Sequence, residues 1–128
     1  MARKAKFAAV PVTEKLERVS EWLTEKKGKD LVALDVSANN TFTEGIIIVT
    51  ANSIRHAQGL ADHILAESKI ANYEFLRMEG FQTGQWILLD MNDLVVSIFQ
   101  QESRELYRLE DLWKAAAVLR DTRDTSAE

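Results

Sequence analysis

Two carboxylates, Asp90 and Asp93, stand three residues apart in WILLDMNDLVVSIF (86–99), between two strongly apolar runs. Acids that share a catalytic metal usually lie at i and i+2 of one strand, where both point to one face. Here they flank a loop, and the chain delivers no obvious third acid to them. A turn explains the same residues. Asn92 tolerates the positive φ that hairpin loops demand, and Asp90 suits an early turn position where its carboxylate accepts backbone N–H groups. The turn reading comes first, contact with a partner second, catalysis third. Asp35 closes the apolar run LVALDV (31–36), a place where active-site acids sit in open α/β sheets. Two positions on stands Ser37, where nucleotidyl transfer would want a second acid.

Other chemistry is thinner. His56 and His63 are seven apart on a helical stretch, two turns or roughly 10 Å, too far to share one metal ion. GFQTG (80–84) lacks the lysine and the following helix of a phosphate loop. No Gly-x-Ser-x-Gly elbow occurs, and the absence of cysteine excludes disulfides, thiolate metal sites and thiol nucleophiles. Trp86 opens the first apolar run, with Leu88 and Asp90 on the same face of that strand. Two readings of Trp86 stand side by side: a core residue, or an exposed aromatic anchor of the type enriched at interface hot spots. Arg104 and Tyr107, three apart, follow the hairpin; they could lie near it or simply pin the last helix.

The elements that must position these residues fit one domain of 128 residues. Residues 1–12 read as a loose arm, 13–120 as the domain and 121–128 as a polar tail. Thr13 suits an N-cap for a helix over about 13–27, where Leu16, Val19 and Leu23 recur at helical spacing with Trp22 on the flank. Lys26, Lys27 and Gly28 suit its end. LVALDV reads as a mostly buried strand and IIIVTA (46–51) as one covered on both faces. Asn52 or Ser53 then caps a helix whose apolar face is Ile54, Ala57, Ala61, Ile64 and Leu65. A strand follows over Tyr73–Met78, parallel to IIIVTA through the helical crossover. The runs of 86–99 form an antiparallel hairpin. Leu109, Leu112, Trp113, Ala116 and Leu119 suggest a final helix. The expectation is α/β: one mixed five-stranded sheet with flanking helices.

Net charge is −4, with 46% hydrophobic and 28% charged residues. That balance argues against broad nucleic-acid binding and favours a basic partner. No apolar run reaches the roughly 20 residues of a membrane span, and MARKAKFAAVPV does not read as a secretory signal, so the expected location is the cytosol.

DLVALDVS (30–37), IIIVTANSIRHAQGLADHI (46–64), EG (79–80) and WILLDMNDLVVSIFQQESRELYRLEDLW (86–113) together resemble the Iojap-like family of bacterial ribosomal silencing factors. The resemblance implies a nucleotidyltransferase-like fold without the transferase active site, and no cofactor. It implies binding to the large ribosomal subunit through its universal protein L-fourteen, which blocks subunit joining and represses translation when nutrients are short. The contacts it suggests fall on Trp86, Leu88, Asp90, Asp93, Glu79, Arg104 and Tyr107. A homodimer of the free protein, no membrane and little or no direct nucleic-acid contact complete the expectation. The chain departs from the family pattern at Gly45, where a large residue usually follows the acid, at Asn92, usually glycine, and at Ser97, often histidine. A metal-dependent nucleotidyltransferase using Asp35, Asp90 and Asp93 is the alternative.

Overall fold

The computed structural model describes residues 7–39, 43–109, 111 and 116–123. Helix α1 spans Val12–Glu25, starting after Pro11 rather than on a Thr13 cap. Its Leu16, Val19 and Leu23 are fully buried, each worth roughly 1.5–3 kcal/mol of apolar burial. The helix stops because Lys27 turns to φ +70°. Gly28 is needed for space, since a Cβ there would meet Val49 Cγ2 at 2.8 Å.

Strand β1 (Lys29–Asp35) pairs antiparallel with β2 (Gly45–Ala51), which is buried along its whole length as the isoleucine run predicts. Ser53 caps α2 (Ile54–Ala71), accepting the His56 N–H through its hydroxyl at 3.0 Å. The buried face of α2 is Ala57, Leu60, Ala61, Ile64 and Ser68, so Leu60 replaces the expected Ile54, which is exposed. Strand β3 is only Arg77–Glu79. It runs in the same direction as β2, but two strands lie between them. Strands β4 (Trp86–Asp90) and β5 (Leu94–Gln100) form the expected antiparallel hairpin, and β5 runs parallel beside β2.

The end of the chain corrects the expectation. The sheet has six strands, not five, in the order β3-β4-β5-β2-β1-β6. Helix α3 is Gln101–Tyr107, directly after β5, and β6 is Ala117–Asp121, paired antiparallel with β1. Leu119, expected on a helix, is thus in a strand, while Leu112 and Trp113 lie outside the described residues. The cause is β1: its other edge carries unpaired amides beside four buried side chains, and a neighbouring strand satisfies them. The segment read as a tail is bound in part, since Thr122 exchanges two 2.8 Å hydrogen bonds with the Leu31 backbone. At the other end Ala8 and Val10 pack on the core.

The two sheet faces differ. Helices α1 and α2 cover one with Leu16, Val19, Leu23, Leu60 and Ile64 against Ala33, Ile47, Val96 and Ile98. On the other, Val32, Leu34, Ile46, Ile48 and Phe99 carry a smaller layer that includes Trp86, Leu109 and Ala116. Among the described residues no helix is long and apolar enough to cross a membrane.

A candidate docking face around Trp86

Alternation along β4 decides what each residue faces. Ile87 and Leu89 are buried towards the helices, while Trp86, Leu88 and Asp90 are half-buried on the opposite face. Trp86 settles between its two readings. Its ring packs at a tilt against Phe99 and Tyr107, with centroids 4.9 and 5.0 Å away. Its indole N–H donates to Ser97 Oγ at 3.1 Å. Tyr107, the outer wall of this aromatic group, is 54% exposed. Beyond Leu88, the neighbouring strand brings Glu79 opposite Leu88 and Arg77 opposite Asp90. Arg77 Nε lies 3.4 Å from Glu79 and 3.7 Å from Asp90. The result is an aromatic and aliphatic patch rimmed by two carboxylates and one guanidinium.

The two acids of the hairpin have separate roles. Asp90 Oδ1 accepts the Asn92 N–H at 2.9 Å, and Asn92 takes φ +76°, so the turn reading holds. Asn92 also donates from its side chain to Glu74 Oε1 at 3.1 Å. Asp93 goes the other way. Lys15 Nζ, on α1, donates to its two carboxylate oxygens at 3.1 and 3.0 Å. Lys15 is 5% exposed and its ammonium also lies 5.1 Å from the Tyr73 ring centroid. Asp90 therefore belongs to the open face and Asp93 to the helical side, and they cannot hold one ion together.

Asp35 does not join them. It sits opposite Gly45, which lies beside Leu94, so two strand spacings, roughly 10 Å, separate it from the start of β5. Two hydrogen bonds from Ser37, from its hydroxyl at 2.7 Å and its backbone N–H at 3.0 Å, hold the Asp35 carboxyl below its usual pKa. Among the described residues no group of three or more His, Asp or Glu could hold a metal. A crevice of about 520 Å³ does open at the carboxyl ends of β2 and β5, where α2 and α3 depart. Its polar lining includes Lys29, Thr50, Asn52, Gln85, Gln100 and Gln101, and among the described residues Glu102 is its one carboxylate.

Arg104, expected among the contacts, lies mostly beneath the surface. It is 5% exposed, and its guanidinium donates inward to the Asp30 carbonyl and, at 2.9 Å, to Thr50 Oγ1. It ties α3 to β1 and β2. Asp93, also expected among the contacts, is engaged by Lys15 while its side chain stays partly exposed. The histidines are structural too. His56 Nδ1 accepts the Asn52 N–H at 2.8 Å, and Nε2 faces the Lys26 carbonyl at 2.7 Å, which requires the proton on Nε2. His63 lies 3.4 Å from Glu25. Lys15, a lone cation among the apolar positions of α1, does not stand out by hydrophobic spacing. Its place carried a signal, because positions 15, 19 and 22 fall on one helical stripe.

Comparison with known proteins agrees with this geometry. A family model described as "Ribosomal silencing factor during starvation" matches residues 10–128. A Haemophilus influenzae protein named ribosomal silencing factor RsfS is 38% identical over 98 residues, which is 77% of this chain and 96% of that protein. A Bacillus subtilis protein of the same name is 32% identical over 89 residues, 70% of this chain and 75% of the other. A crystal structure from Chromobacterium violaceum superimposes with a TM-score of 0.75 at 31% identity, covering 83% of this chain and 87% of that one. By its sequence over nearly the whole length and by its fold, the chain belongs to the ribosomal silencing factor family.

Proposed function

We propose that this protein binds the large ribosomal subunit through its universal protein L-fourteen, using the open face around Trp86, and so blocks subunit joining and represses translation under nutrient limitation. The reading needs no catalysis and no cofactor. It places the protein in the cytoplasm, where ribosomes are. The observation that carries it is the half-open patch itself. Trp86, Leu88 and Tyr107 supply apolar contact area, and Glu79 and Asp90 lie at its edge. Aromatic residues anchor interfaces because they bury large area at low entropic cost. The two carboxylates suit a basic ribosomal protein and disfavour direct contact with RNA phosphates. A homodimer of the free protein through the same face would compete with the ribosome, and light scattering with and without L-fourteen reads that competition.

The test is a binding measurement with purified L-fourteen, comparing wild type with Trp86→Ala and following both by circular dichroism. Trp86→Ala weakens binding by about 2 kcal/mol or more while the protein stays folded. Wild-type protein that binds neither L-fourteen nor large subunits refutes the reading.

A further inference from the structure

We infer that Lys15 is a positioning residue for the docking face, acting from the opposite side of the sheet; this rests on the function proposed above. The β4–β5 turn is where the two sides meet. Asp93 holds the turn to β2 by its carbonyl oxygen, which accepts the Glu44 and Gly45 N–H groups at 3.2 and 3.0 Å. Its carboxylate is held from below by Lys15 through two hydrogen bonds of 3.1 and 3.0 Å. Three residues earlier on the same turn, Asp90 emerges on the docking face, its carboxylate placed by the Asn92 N–H. Asn92 is fixed in turn by Glu74 at 3.1 Å, next to Tyr73, whose ring lies under the Lys15 ammonium.

Lys15 thus meets both strands of support for Asp90: the turn through Asp93, and the segment carrying Glu74 through Tyr73. A charge buried this deeply must stay paired, so the Lys15 ammonium restrains the position of the Asp93 carboxylate. Without it, Asp93 keeps its backbone bonds but loses its side-chain anchor, and the turn is free to re-aim Asp90.

The experiment measures affinity for purified bacterial large subunits in a four-member cycle: wild type, Lys15→Met, Asp90→Asn and the double variant. Circular dichroism and melting temperature are recorded for each. Lys15→Met weakens binding at least about fivefold, the threshold of a residue that counts at an interface. In the Asp90→Asn background the same substitution changes affinity less than twofold, although it lowers the melting temperature in both backgrounds. A residue with a general structural role would give equal losses in both. Folded Lys15→Met protein that binds like wild type, or equal losses in the two backgrounds, overturns the inference. If Lys15→Met does not fold, Asp93→Asn takes its place under the same criteria. Failure of wild type to bind is a different outcome, and refutes the proposed function instead.

Discussion

The hairpin acids make a sharp stability prediction, because one chemical change at two sites three residues apart should have unequal effects. Asp93→Asn keeps shape and removes charge opposite a lysine that is 5% exposed. Breaking a fully buried ion pair costs about 3–5 kcal/mol, and a surface pair about 0–1 kcal/mol. The Asp93 side chain is 27% exposed against 6% for Lys15, and asparagine retains one acceptor oxygen, so the expected loss lies between these limits at about 2 kcal/mol. For a chain of this size that lowers the melting temperature by roughly 6–10 °C. Asp90→Asn should cost less than about 1 kcal/mol, since the Arg77 side chain it faces is 64% exposed and 3.7 Å away. Its asparagine still accepts the turn N–H. Thermal and urea unfolding by circular dichroism measure both. Equal melting temperatures for the two variants would refute the assignment of Asp93 to the helical side. A shared metal site would show itself differently, as stabilisation of the wild type by magnesium that both substitutions remove.

Two further outcomes test the packing. The Tyr73 hydroxyl is buried with no hydrogen-bond partner among the described residues, and burial raises the phenol above its usual pKa. Tyr73→Phe should keep or raise stability, by up to about 1 kcal/mol. A phenol held neutral only in the folded state destabilises as pH rises past its unfolded value of about 10, so this variant should also flatten the alkaline fall in melting temperature; a lower melting temperature at pH 7 would contradict the burial argument. At Gly80, φ is +83° and a Cβ would stand 2.2 Å from the Trp86 carbonyl oxygen. Gly80→Ala should cost about 2–4 kcal/mol and weaken large-subunit binding by displacing Trp86, whereas unchanged stability would mean that this loop yields freely.

How much of this was legible in the sequence follows physical lines. The buried strand IIIVTA, a helix cap at Asn52 or Ser53, the hairpin and the Asn92 turn were legible because each is decided within a few residues. The last helix was misread because Leu109, Ala116 and Leu119 are apolar at helical intervals in a short stretch, while what decides Ala117–Asp121 is an unpaired edge of β1 some 80 residues earlier. No local pattern records that demand. The roles of Asp93 and Arg104 were hidden for the same reason. Each is a charged residue whose partner, Lys15 for one and Thr50 for the other, is 78 and 54 residues away along the chain. Charged residues are read by default as exposed, and only the fold reveals which are enclosed.

The departure at Ser97 bears on how Trp86 could serve as an anchor. An indole N–H left without an acceptor at a docking face must find one on the partner or be desolvated at a cost of about 1–3 kcal/mol. Here the donor is already satisfied within the sheet, by the Ser97 hydroxyl at 3.1 Å, and Ser97 is buried. A partner therefore meets only the ring, between Tyr107 and Leu88. On the proposed docking reading the contact is apolar and undemanding of direction, and discrimination would fall to Glu79 and Asp90 at the rim. Two kinds of substitution should then separate in the binding kinetics. Loss of the Trp86 ring should act mainly on dissociation, and loss of Asp90 or Glu79 mainly on association and its salt dependence. An association rate insensitive to both salt and these acids would remove the rim from the recognition surface and leave the aromatic patch as its whole extent.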